Sequence, residues 1–218
     1  MIREFGPNEV IYITLAVRYT VLLSLIAFAG GSVGGLMIAL MRVSANKYLR
    51  WSALAFIRVF QGTPLLMQLF LAYFGLAILG FPIDPWTAAS VALILHAAAF
   101  LGEIWRGCIE AIGEGQHEAA RAVGLGYINR MRYVILPQAL RIAVGPTTGF
   151  LVQLIKATSL ASIIGFTELT RAGQIISNAT FQPFMVISLV AVLYFILCWP
   201  LSKLASNMEQ KFNQTTSR

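Results

Sequence analysis

The chain has 218 residues, of which 58% are hydrophobic and only 11% charged, whereas soluble domains carry about 25% charged residues. The formal net charge is +7, but the basic residues lie in loops and at the ends of apolar runs, so a topogenic role explains them better than binding of nucleic acid. The apolar runs are long enough for membrane helices, which need about 20 residues, and too continuous for a β-barrel. The composition therefore predicts an all-α integral membrane protein with a single domain, residues 1–218.

The first two predicted spans are both interrupted by residues that disfavour a regular helix. The first, residues 12–41, contains two glycine pairs between positions 30 and 35. Glycines allow two membrane helices to approach closely, so we expect the first helix to pack against a neighbour along this patch. The second span, residues 52–79, contains Gly62 and Pro64, where the missing proline N–H predicts a break or a kink.

Three further spans are predicted in the remainder of the chain. They cover residues 86–110, 138–165 and 184–204, and a basic loop over residues 113–137 separates the first two of them. The segment 166–182 is amphipathic and too polar to span. Five spans in total place the two ends of the chain on opposite sides of the membrane.

The distribution of basic residues selects the orientation. If residues 42–50 are cytoplasmic, that side also holds Arg121, Arg130, Arg132, Arg141, Lys203, Lys211 and Arg218, whereas the other side keeps only Arg3 and Arg171 clear of the spans. Lysine and arginine are enriched in cytoplasmic loops. The asymmetry therefore predicts an N-terminus outside, a C-terminus in the cytoplasm and a cytoplasmic loop over residues 113–137.

The residue types needed for catalysis or metal binding are not grouped in this sequence. His96 and His117 have no second ligand at helical spacing, and Cys108 and Cys198 form no ligand cluster. No glycine-rich loop with a lysine is present to hold a nucleotide. We therefore expect no catalytic set, no metal and no cofactor on this chain, and a protein built in this way must take any energy it needs from elsewhere.

The cytoplasmic loop contains a segment, residues 118–137, that combines charge with helical periodicity. A short helix is predicted over Glu118–Val123, with three residues on one face at i, i+3, i+4 spacing: Ala119, Ala122 and Val123. We expect Gly124 and Gly126 to end helices in the left-handed conformation. The predicted boundaries also place Glu118 near the helix start, where a negative charge suits the helix dipole.

This segment resembles the EAA loop of the membrane permeases of bacterial ABC importers. The pattern is filled by Glu118, Ala119, Ala120, Gly124, Val134, Leu136 and Pro137. Three other segments are similar to motifs of the polar amino-acid branch, which carries histidine, glutamate, glutamine, arginine or opines: residues 58–66, 103–112 and 156–160 with Glu168-Leu169. Two residues depart from that pattern: Ala157 stands where Asp or Asn is common, and Gly149 stands where Asn is common.

The resemblance implies a fold, a location and a set of partners. It implies the five-helix MetI-like permease fold in the bacterial cytoplasmic (inner) membrane and a second permease, identical or similar. It also implies two cytoplasmic ATPase subunits that carry ATP and Mg²⁺, and an external amino-acid-binding protein. The residues that would dock the ATPase are Glu118, Ala119, Ala120, Arg121, Gly124 and Leu125.

Polar residues within the spans are candidates for a substrate path. The uncharged ones are Gln61, Gln68, Gln153, Thr158 and Ser159, for which helix–helix hydrogen bonding is an equal alternative. Glu103 and Arg106, at i, i+3 spacing, form either a structural ion pair or a gate. Lys156 has no acid beside it in the sequence, so we expect it to snorkel or to neutralise a buried acid.

Two functions remain open at this point. The resemblance favours an importer subunit that translocates a polar amino acid and is driven by a separate ATPase. The alternative is a passive channel or an ion-coupled transporter for a small polar solute, which needs a coupling acid near the midplane and no docking loop. Glu103 is the candidate for that acid, and it lies toward the cytoplasmic end of its span.

Overall fold

Eight helices build the part of the chain that the computed structural model describes, residues 4–216, with side chains described through residue 208. They are α1 (Pro7–Arg42), α2 (Lys47–Gly62), α3 (Leu65–Ile78), α4 (Pro85–Glu110), α5 (Glu114–Ala122), α6 (Tyr127–Ile164), α7 (Leu169–Thr180) and α8 (Pro183–Thr216). No strand occurs within residues 4–216, which confirms the all-α prediction.

Four helices, α1, α4, α6 and α8, are each long and apolar enough to cross a membrane. Helices α2 and α3 pass the same test only as a pair, bent by 101° at their junction, and make a fifth span when the pair is counted as one. The first helix begins at Pro7, ahead of the predicted residue 12, because proline is accepted in the first turn, where its missing N–H is not needed. The last helix likewise continues past the predicted residue 204.

The glycine patch of α1 packs directly on α4, as predicted. A Cβ atom on Gly31 would lie 2.4 Å from the Cβ of Ala97, and one on Gly35 would lie 2.9 Å from the Cβ of Leu101. Both distances are far below normal carbon contacts, so only glycine allows this approach. Ala97 and Leu101 are fully buried in the main core of the molecule.

The break between α2 and α3 occurs where the sequence predicts it, after Gly62 and at Pro64. The break leaves backbone carbonyls at the end of α2 without helical partners. The side-chain amide of Gln68 fills this role, because its Nε2 donates to the carbonyl of Phe60 at 2.7 Å and to that of Thr63 at 3.0 Å. On its other side, Gln68 Oε1 lies 3.2 Å from Nδ1 of His96 on α4.

Helix α7 is short, as expected for the polar segment 166–182, and its start is fixed by a buried acid. Glu168 caps α7 by accepting hydrogen bonds from the backbone N–H groups of Thr170 and Arg171 at 2.8 and 2.9 Å. The hydroxyl of Tyr194 on α8 donates to the same carboxylate at 2.9 Å. Burial raises the pKa of Glu168 above its usual value, although these hydrogen bonds act in the opposite direction.

Candidate docking surface and translocation path

Helix α5 is longer than predicted and begins at Glu114 instead of Glu118. The prediction followed the apolar periodicity, which starts only at Ala119, and overlooked the polar first turn. Glu118 consequently lies in the second turn, so the argument that its charge suits the helix dipole is wrong. The acidic residue of the first turn is Glu114, which forms an exposed ion pair with Arg121 at 2.6 Å.

The end of α5 is a Schellman motif centred on Gly124. Gly124 has a φ of +79°, as predicted, and its N–H donates to the carbonyl of Arg121 at 2.9 Å. The N–H of Leu125 donates to the carbonyl of Ala120 at 3.0 Å, which completes the motif. The same prediction for Gly126 is wrong, because its φ of −64° is an ordinary value and it precedes the first turn of α6.

One face of α5 is apolar and lies at the surface. Ala120 is the residue of this helix that turns inward, with 4% of its surface exposed. Ala119 and Ala122 are exposed, and Val123 is 74% exposed, with Ile128 at 77% beyond the turn. A loop helix that packs on its own protein would bury this face, so the arrangement favours a partner. Glu118 is also exposed, and the ion pairs found among the described residues do not use it.

The base of this surface is attached to the ends of the spanning helices. Ile112, Met131 and Ile135 form a buried cluster with Ile109 of α4, against which Val43 also packs. The hydroxyl of Tyr127 donates to the carbonyl of Val43 at 3.3 Å. Helix α5 itself is joined to α6 by a hydrogen bond from Gln138 Nε2 to Gln116 Oε1 at 3.1 Å.

Charged residues connect α1 to α4 near these ends. Arg106 Nε donates to Glu103 Oε2 at 2.9 Å, which is the pairing that the i, i+3 spacing indicates. Sequence reasoning missed two further charged residues that join this ion pair. Arg106 also pairs with Glu110, which the i, i+4 spacing signals, and Arg42 at the end of α1 lies 3.9 Å from Glu103, for which the sequence gives no signal.

The five candidate residues for a substrate path have different surroundings. Gln153 and Gln61 are exposed, and Gln61 Nε2 donates weakly to the carbonyl of Ala99 at 3.4 Å. Ser159 is partly exposed and donates to the carbonyl of Lys156 at 2.6 Å. Thr158 is fully buried and donates to a carbonyl of its own helix, and Gln68 is committed to the α2–α3 break.

Lys156 is exposed on the described surface, beside Gln153, and the ion pairs of the described residues leave it without an acid. Sequence reasoning also missed Trp105, whose indole Nε1 donates to Thr147 Oγ1 at 2.8 Å and joins α4 to α6. Within the described residues, no group of three or more His, Cys, Asp and Glu side chains is arranged to hold a metal ion.

A family model described as "Binding-protein-dependent transport system inner membrane component" matches residues 31–212. The chain belongs to this family. It is therefore a membrane component of a transport system that works with a binding protein, and family members of this kind are permeases that hydrolyse no ATP.

Named relatives agree with this assignment. The chain is 37% identical to a probable amino-acid ABC transporter permease of Bacillus subtilis strain 168, over 92% of this chain and 89% of that protein. It is 38% identical to the glutamine transport system permease of Escherichia coli K12, over 89% and 90% of the two chains.

Solved structures confirm the predicted fold. The crystal structure of an amino acid ABC transporter with histidines superposes with a TM-score of 0.87 at 36% identity, covering 92% of this chain and 94% of that one. An inward-facing methionine ABC transporter gives a TM-score of 0.81 at 24% identity, over 95% and 99%, and supports the fold alone.

Proposed function

We propose that this chain is the transmembrane subunit of an ATP-binding-cassette importer for a polar amino acid. The exposed apolar face of α5 is the observation that carries the proposal, because it is rigidly ended by Gly124 and lies at the junction of three spanning helices. The names of the relatives, which include a glutamine permease, support a polar amino acid as the substrate.

The partner at this face is a cytoplasmic ATPase subunit. Ala119, Ala122 and Val123 provide an apolar contact, and Glu118 provides a free carboxylate for a basic side chain or a backbone donor of the ATPase. Ala120, Arg121 and Leu125 support this contact from within the chain through the core and the Schellman motif. ATP and Mg²⁺ bind to the ATPase, and its closure moves α5 together with the helix ends to which it is attached.

The orientation follows from the same arrangement. Tyr127 and the buried cluster of Ile109, Ile112 and Met131 hold the basic loops after α1 and α4 at one end of the molecule. We place this end in the cytoplasm, and the N-terminus and the α3–α4 connection outside. The complex also contains a second permease and an external binding protein.

The substrate path uses the polar side chains that remain accessible. Gln61, Gln153 and Ser159 are accessible and able to contact a zwitterion, whereas Gln68 and Thr158 shape the path indirectly through the α2–α3 break and the last turns of α6. The ion-pair cluster Arg42–Glu103–Arg106–Glu110 connects α1 to α4 near the cytoplasmic end, where it holds the two helix ends together.

One experiment separates an importer from a channel or an ion-coupled transporter. The chain is purified from its host with an affinity tag under mild conditions, and the copurifying proteins are identified. We expect an ABC ATPase at stoichiometric yield, and hydrolysis in the reconstituted complex that rises when the binding protein and one polar amino acid from a panel are added. Transport without a bound ATPase, driven by an ion gradient, would overturn the proposal.

A further inference from the structure

A groove runs along the surface between α1 and α6, contains none of the five path residues, and borders the docking surface at Ile128. Its deeper part is a cavity of about 310 Å³, walled by Ser32, Leu36, Leu140 and Ala143 and floored by Trp105 and Cys108 of α4. A second cavity of about 410 Å³, between Leu40, Val43, Ile128 and Arg132, continues it toward the basic end of the molecule. Leu136 lines both cavities and joins them into one groove.

The spacing of the lining residues shows that the groove follows two helix faces. On α1, Val33, Leu36, Leu40 and Val43 recur at intervals of three and four, and on α6 the residues from Ile128 to Ala143 recur in the same way. From Ser32 to Val43 the groove is about 16 Å long at about 1.5 Å per residue. This length matches one leaflet, which is half of a hydrocarbon core about 30 Å thick.

The two ends of the groove differ in chemistry. The deep end is lined by hydrocarbon side chains, an indole, a thiol and the hydroxyl of Ser32. Arg132 lies at the other end, where its guanidinium is 5.5 Å from the ring centre of Tyr133. The ion pairs of the described residues use Arg42, Arg106 and Arg121, so Arg132 keeps its donors for an external anion.

We propose that this groove binds one acyl chain of an anionic phospholipid, with the phosphate held by Arg132 at the basic end. Basic pockets between membrane helices on the cytoplasmic side suit acidic headgroups, and the position of this end in the cytoplasmic leaflet rests on the orientation proposed above. A helix of a second copy is about 10 Å across, so it can cover the narrow deep cavity but cannot enter it.

The test uses the purified complex of permease and ATPase in phosphatidylcholine vesicles doped with phosphatidylglycerol that carries a photoreactive acyl chain. We expect labelled peptides from residues 32–43 and 132–143, and competition by unlabelled phosphatidylglycerol but not by phosphatidylcholine. Arg132→Gln should weaken the preference for phosphatidylglycerol about fivefold, as loss of one basic residue at a membrane surface predicts. Ser32→Leu, which fills the deep cavity, should remove the label from residues 32–43.

Matched variants outside the groove serve as controls. Arg50→Gln removes an exposed arginine near the same end, and Ala191→Leu enlarges an exposed residue of α8; both should leave the labelling unchanged. Labelling spread evenly over α1 and α8 would mean ordinary annular lipid and would overturn the proposal. A Ser32→Cys variant that forms a disulfide with a second permease would also overturn it, because the groove would then be an interface between copies. Label in the groove without headgroup preference would refute the role of Arg132.

Discussion

Replacing Gly124 by valine tests whether the geometry of the α5 end connects this chain to its ATPase. Gly124 has a φ of +79°, and no other part of the chain lies within 4 Å of the position that a Cβ would take, so a Cβ meets open space there. The cost is conformational: the left-handed region costs an L-residue about 1–2 kcal/mol, and more for a β-branched one. If docking requires the native turn, this strain lowers the ATPase affinity about fivefold to thirtyfold.

The assay measures two quantities, the recovery of the ATPase with the solubilised permease and the stimulation of hydrolysis by binding protein and substrate. Gly124→Val should lower both, and Gly124→Asn should lower them less, because asparagine tolerates positive φ. Gly126→Val is the matched control, since Gly126 lies two residues away with a φ of −64° and a ψ of 166°, which valine adopts readily. Normal recovery and stimulation in Gly124→Val, or equal damage in Gly126→Val, would refute the reasoning.

Four further predictions follow from the same structure. Glu118→Lys should abolish stimulated hydrolysis while Glu114→Gln, which alters only an exposed ion pair within the chain, leaves it intact; equal effects would argue against a contact by Glu118. Alanine at whichever of Gln61, Gln153 and Ser159 touches substrate should raise the substrate concentration needed for half-maximal transport about 5-fold to 150-fold, because a lost hydrogen bond costs about 1–3 kcal/mol, and basal hydrolysis should be preserved. Unchanged affinity in all three variants would place the path elsewhere. Gly31→Ala should lower the free energy of unfolding by about 1–3 kcal/mol, because its Cβ would lie 2.4 Å from that of Ala97, and Ala97→Gly should rescue it; Gly149→Ala, with open space around the new Cβ, is the control. Hydrogen bonds from Thr87 lower the pKa of Asp84, whose carboxylate caps α4. This cap should protect the backbone amides of Trp86 and Thr87 from hydrogen exchange above the ordinary pKa of 3.8, and the protection should be lost as the pH falls through the lowered pKa. Asp84→Asn should remove this pH dependence.

The orientation can be tested separately from function. In a chain with Cys108 and Cys198 replaced by alanine, Phe81→Cys should react with a membrane-impermeant thiol reagent in intact cells, and Asn207→Cys should not. Both positions are exposed in the structure, on opposite ends of the predicted topology. The reverse pattern would place α5 outside the cell and remove its contact with an ATPase.

Much of the architecture depends on short-range properties that a sequence displays directly. Apolar runs, the Gly62–Pro64 break and the left-handed turn at Gly124 each depend on the residue itself and its neighbours within one helical turn. The start of α5 was predicted incorrectly because its first turn, from Glu114, carries no apolar periodicity, although an acidic first turn after Gly113 is a local helix-start signal.

Only the tertiary structure decides which polar groups remain free to act. Gln61 and Gln68 look equivalent in the sequence, yet the bend between α2 and α3 leaves carbonyls that Gln68 must satisfy, whereas Gln61 remains exposed. In the same way, Arg42 meets Glu103 only because glycines let α1 approach α4. Helix formation depends on contacts within four residues of the chain, which the sequence by itself determines, but the partner of a buried or charged group is set by which helix lies beside it in space.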